Sequence, residues 1–222
     1  MKMNTKIVAL CTAAALTLAM PLQSFAAENS FKDLDNVTAK DKILVLQEKG
    51  YVHGIGDMMF APNKAVTAAE GIQFIVNTLE LNIDNIRFIK APLATDYFTK
   101  ADNKAWYADA LIIASLNGFE MPTDIDLNQQ MTKEEFTFQL VRVMEKNKNM
   151  PMINIKPAEI KDEDQMKIEY SGAIQRALVY KLTQLDAEGK FNPTAKITRA
   201  EAAEQLYSAL EYLKAHPAPV QQ

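Results

Sequence analysis

After Thr67, Thr132 and Thr198 the apolar positions recur at helical spacing. Ile72, Ile75, Val76 and Leu79 follow the first threonine, and Phe136, Leu140, Val143 and Met144 the second. Ala202, Leu206, Ala209, Leu210 and Leu213 follow the third. Steps of three and four residues put side chains on one face of an α-helix, so three amphipathic helices are predicted. Each opens with Thr-x-x-Glu: Thr67 with Glu70, Thr132 with Glu135, Thr198 with Glu201. In such a capping box the threonine hydroxyl accepts from the amide three residues on, and the glutamate reaches back to the threonine amide. An apolar residue stands before each cap (Val66, Met131, Ile197). Only Met131 has a large partner, Phe136, to staple onto; the other two face Gly71 and Ala202.

The three glutamates lie 65 and 66 residues apart. A near-constant period of that length marks an internally repeated architecture. A second helical pattern precedes each capped helix, at about 39–49, 106–117 and 170–181, so each unit reads as helix, loop, capped helix. The units span 27–80, 90–147 and 157–214. The connectors, about 80–96 and 145–159, contain Pro92, Pro151 and Pro157, which interrupt any long helix. They also carry Ile83, Ile86, Phe88, Ile153 and Ile155, and are expected to pack against the rest. The tail, 215–222, is Pro-bearing and expected to be disordered. The fold class is all-α.

Residues 1–26 read as a signal peptide. Lys2 and Lys6 precede an apolar run from Ile7 to Met20, and Ser24 and Ala26 supply small residues ahead of the cut. The run is too short for a membrane span, and Leu10 before Cys11 does not suit lipidation. Cleavage would remove two lysines, no acids and the only cysteine, taking the net charge from −4 to −6. A disulfide-free exported chain must be held by its core, which about 200 residues can supply. The acidic balance argues against nucleic acid.

The loop Gly50-Tyr-Val-His-Gly-Ile-Gly-Asp-Met-Met-Phe-Ala-Pro62, the Phe31-Lys-Asp-Leu34 box, the aromatic helix start at Trp106-Tyr-Ala and Ile197-Thr-Arg-Ala-Glu201 together resemble the S-layer homology family. The resemblance covers residues 31 to about 213. It implies a pseudo-threefold spindle, with three helices in a central bundle and three lobes projecting from it. It also implies binding of a pyruvylated secondary cell-wall polysaccharide, linked to peptidoglycan, in grooves between the lobes. In the family the arginine of the Thr-Arg-Ala-Glu box contacts the anionic sugar. A planar guanidinium matches a carboxylate in two hydrogen bonds, and loop glycines such as Gly54 and Gly56 let backbone amides come close to a ligand.

The arginine position reads Ala68, Lys133 and Arg199 in the three copies. The expectation is one full site at Arg199, a weaker one at Lys133, and none in the first copy. Met58 replaces a loop glycine in the first copy, the second loop is shorter, and Lys181 stands in the third where Gly50 stands in the first. Trp106 is expected either in packing or stacked on sugar. Asp33 and Asp162 are expected to orient loops or ligand, and the three Thr/Glu pairs to cap helices. An arginine in a first turn opposes the helix dipole, which points to a local reason for Arg199.

Asp124-x-Asp126-x-Asn128 with Glu135 copies part of a calcium loop, but Gln129 replaces the turn glycine and Pro122 disrupts the entering helix. No metal or cofactor is therefore expected. Two histidines, no cysteine beyond the leader and no Gly-x-Ser-x-Gly elbow leave nothing that resembles an active site. The expected function is non-covalent attachment of a secreted, wall-associated protein to an anionic wall polysaccharide of a Gram-positive surface. The alternative is a diverged scaffold that binds a protein partner or itself.

Overall fold

The computed structural model describes residues 30–150, 154 and 156–218. The leader read at 1–26, together with Ile153 and Ile155, lies outside those residues. Six α-helices follow in order: α1 (Lys40–Glu48), α2 (Ala68–Thr78), α3 (Ala108–Asn117), α4 (Lys133–Asn147), α5 (Ile168–Val179) and α6 (Arg199–Ala215). The described residues hold no strand beyond isolated bridges.

The even-numbered helices begin where the sequence places their caps. Glu70, Glu135 and Glu201 each donate their amide to the threonine hydroxyl three residues back, at 3.2–3.3 Å. Each glutamate accepts from the threonine amide at 2.8–2.9 Å. The odd-numbered helices have no side-chain cap and are held by packing. Helix α1 lies on α6, α3 on α2, and α5 on α4, while α2 and α4 each also pack on α6. Helix α3 stops at Gly118, whose φ of 95° suits glycine.

The three residues before the caps close a ring. Val66 N–H donates to Ile197 O (2.9 Å), Ile197 N–H to Met131 O (3.1 Å), and Met131 N–H to Val66 O (2.9 Å). The first two amides of each capped helix continue the same rotation. Ala68 and Ala69 donate to Gln129 and Leu127, Lys133 and Glu134 to Ala195 and Pro193, and Arg199 and Ala200 to Lys64 and Pro62. These amides have no partner within their own helix. Each is satisfied by the loop of another repeat: first helix to second loop, second to third, third to first.

The core fills around this ring. Val66, Met131 and Ile197 are all buried, with Phe60, Phe136, Ile72, Leu140 and Leu206 about them. A Cβ on Gly71 would stand 2.5 Å from Met131 Sδ and 3.4 Å from the Phe136 ring. Glycine there leaves room for the Met131 and Phe136 side chains against α2. A smaller cluster of Ile160, Met166, Ile174 and Phe191 forms within the third repeat.

One expectation requires correction. Ile86 and Phe88 are exposed, as is Ile89 beside them; of the first connector's expected packing residues only Ile83 packs on the core. Helices α2 and α3 pack directly on each other, which leaves the connector on the outside. Of the tail read at 215–222, Ala215 ends α6, the His216 ring stacks on Tyr212 at 4.1 Å, and residues 219–222 lie outside the described residues.

Candidate ligand-binding grooves

The cyclic offset decides which residues share a groove. Arg199 opens α6 in the third repeat, yet its side chain enters the loop of the first. Nε donates to Phe60 O at 2.7 Å, Nη1 to Glu70 Oε1 at 3.2 Å, and Nη2 to His53 O. The guanidinium stacks between the rings of Phe60 (4.6 Å) and Phe74 (5.0 Å) and is 2% exposed. Burial pulls its pKa down, against the pull of Glu70 and Asp33. Burial also opposes the charge on Glu70, but the Thr67 amide, Lys64 and Arg199 outweigh it and hold that carboxyl below its ordinary range. Arg199 is thus a clasp between repeats, with its donors facing protein.

Lys133 stands at the matching position of α4 and points to the third loop, where it lies 4.9 Å over the Phe191 ring. Phe191 corresponds to Phe60. A lysine is shorter and lacks the fork, and beside it a cavity of about 650 Å³ is open. Lys42, Lys181, Asp186, Glu201, Glu204 and Gln205 are among its walls. Burial lowers the pKa of Lys133, opposed by Glu201, Asp186 and Asp162.

The acids of this cavity already have partners. Asp186 accepts from the Glu188 and Lys190 amides and from Asn192 Nδ2. Glu201 closes the Thr198 cap, and Glu204 pairs with Lys42 at 3.2 Å. Neither Lys133 nor Lys181 takes part in an ion pair among the described residues. Among the described residues the buried amide nitrogen of Gln205 also has no hydrogen-bond partner.

The place where the first capped helix meets the second loop lacks all these parts. Ala68, fully buried, faces the second loop. There Ile125 stands where Phe60 and Phe191 stand in the others. The ladder bond of Thr99 N–H to Thr123 O matches Lys32 to Met58 and Lys161 to Gly189. That register sets Lys100 at the place of Asp33 and Asp162.

Those two aspartates hold loops. Asp33 accepts from the Phe60 and Ala61 amides at 2.9 and 2.7 Å, and Asp162 from the Phe191 and Asn192 amides at 2.8 and 2.7 Å. A Cβ on Gly54 would meet Met59 O at 2.6 Å and the Phe31 ring at 2.7 Å, while Gly56 takes a φ of 115°. Both glycines shape the first loop's tip. Trp106 is 59% exposed, edge-on to Tyr107, and outside the cavity's walls. Glu135, the last residue of the calcium-loop pattern, is engaged by its own cap and lies 3.6 Å from Lys167. Among the described residues no cluster of His, Cys, Asp and Glu suits a metal ion.

Lys42 and Lys181 were not among the sequence-derived candidates. Lys181 was legible as a departure from the repeat; its place in a cavity was not.

Comparison with known proteins matches the S-layer homology domain at residues 30–70 and 159–203. The chain is 27% identical over 190 residues to an amylopullulanase of Thermoanaerobacterium thermosulfurigenes, covering 85% of this chain and 10% of that protein. It is 28% identical over 184 residues to the exoglucanase XynX of Acetivibrio thermocellus, covering 82% and 16%. It is 27% identical over 216 residues to a surface-layer 125 kDa protein of Lysinibacillus sphaericus, covering 93% and 17%. The chain therefore spans less than a fifth of each of these relatives.

Proposed function

The chain carries S-layer homology domains, modules of cell-surface anchoring, and from that premise we propose that it is a non-catalytic, exported wall-binding protein. Its ligand is an anionic secondary cell-wall polysaccharide, a pyruvylated polymer linked to peptidoglycan. The observation that carries this reading is the cavity beside Lys133, where every acid has a partner and the lysine has no ion pair among the described residues. A carboxylate entering there gains a charge-assisted hydrogen bond. The acidic protein gains nothing from long-range steering toward an anionic wall, so attachment depends on this local chemistry. Arg199 contributes by fixing the first loop on α6, and Asp33 and Asp162 by fixing the loop ends. No helix among the described residues is long and apolar enough to cross a membrane.

Co-sedimentation with Gram-positive walls tests the proposal. Binding to walls that retain the secondary polymer, and not to acid-stripped walls, is the expected result. Equal binding to both overturns it. The exposed connector side chains Ile86, Phe88 and Ile89 favour a second reading, attachment to a protein partner. That reading predicts binding indifferent to stripping.

A further inference from the structure

Lys181 occupies a backbone position that glycine holds in the other two repeats. The bonds of Tyr51 N–H to Leu46 O, Phe119 N–H to Ala114 O and Leu182 N–H to Ala177 O align the three helix ends. They place Lys181 with Gly50 and Gly118. All three are left-handed, with φ of 58°, 71° and 95°. Glycine takes that conformation freely, whereas a side chain with a Cβ is strained there. The third repeat therefore keeps a lysine where its own backbone favours glycine. Its side chain is exposed, forms no ion pair among the described residues, and lines the cavity that Lys133 also lines.

We propose that Lys181 is a ligand-binding residue, the second cation of an anion seat formed with Lys133 and directed at a carboxylate of the wall polymer. The proposal rests on the wall-binding reading above and adds a residue to its site. Lys133 approaches from the start of α4 and Lys181 from the end of α5, so two elements of different repeats converge on one cavity. Lys42 is held by Glu204 at 3.2 Å and is the less available of the three lysines. Other non-glycine residues also take a left-handed φ; Lys181 differs in lining the cavity and bringing a cation where the other two repeats have glycine.

Lys181→Gly separates function from folding, because the two effects have opposite signs. Removing the strained side chain raises Tm by roughly 2–4 °C. Removing the cation weakens sedimentation with polymer-bearing walls about tenfold in the protein concentration for half-binding. Lys100→Ala removes a lysine outside the cavity and leaves that concentration unchanged. If Lys181→Gly binds as tightly as the parent protein, or Lys100→Ala weakens binding equally, the assignment of Lys181 is wrong. If the parent protein itself ignores the polymer, the wall-binding reading falls first.

Discussion

Arg199 Nε donates to the carbonyl oxygen of Phe60 at 2.7 Å, across 139 positions of the chain. The contact joins the last capped helix to the first loop and completes the rotation that the ring of Val66, Met131 and Ile197 begins. The guanidinium is buried between two aromatic rings and bonded to two carbonyls and a carboxylate. Arg199→Ala would take that donor from the Phe60 and His53 carbonyls, leave Glu70 to Lys64 and the Thr67 amide, and open a void between Phe60 and Phe74. A loss of about 3 kcal/mol is expected, since breaking a buried charged pair costs about 3–5 kcal/mol. Urea denaturation measures it. A loss below about 1 kcal/mol would mean that the clasp contributes no more than a surface ion pair.

Glu70 ties that clasp to pH. Its carboxyl is held below the ordinary value of 4.5. The native state therefore keeps the charge at pH values where the unfolded chain has begun to take up a proton. The stabilisation is complete above the unfolded value and disappears as pH falls through the folded one. Denaturation midpoints followed downward from pH 6 should drop on entering the carboxylate range. Glu70→Gln should start from a lower midpoint and show a shallower slope. Identical slopes for the two proteins would remove Glu70 from the acid response.

The local elements were legible because their causes are local. A capping box needs four consecutive residues, and each threonine and glutamate lies where the spacing predicts. The partners of the grooves were not legible, because they depend on the rotation between repeats. The sequence pairs Ala68 with the first loop simply because they are neighbours, whereas the backbone pairs Ala68 with Gln129 of the second loop. Once that offset is known, three separate departures become one. Ala68, Ile125 and Lys100 all belong to the second loop's groove, which has lost the cation, the ring and the loop-holding carboxylate together. The resemblance, with the arginine's place in a first turn, also suggested Arg199 as the contact residue. Its depth between two rings could not be read from a helix start.

Returning an arginine to the first capped helix should fail for the same reason. Ala68 is fully buried against the second loop, where Ile125 offers no aromatic face. Lys100 stands at the position of the aspartate, adding a like charge. Ala68→Arg is expected to destabilise the protein by about 3 kcal/mol, through overpacking and an unpaired buried charge. Thermal unfolding monitored by circular dichroism is sufficient to measure this. A neutral or stabilising effect would show that the second loop still offers a guanidinium site.

Lys133 is the reverse case, a cation whose removal should spare the fold. Lys133→Met keeps a long unbranched side chain over the Phe191 ring and removes a charge that burial already opposes. The depressed pKa means that the charged form is disfavoured in the folded state. The unfolded chain holds that proton more tightly, and stability contributed by this site rises with pH. The methionine variant should therefore be at least as stable as the parent protein at pH 7. Its sedimentation with polymer-bearing walls should weaken about tenfold, the loss expected for one hydrogen bond to a charged group. Denaturation and wall binding measured on the same preparation check both halves. A variant that unfolds easily would make Lys133 structural, like Arg199, and one that binds unchanged would leave the cavity without its first cation.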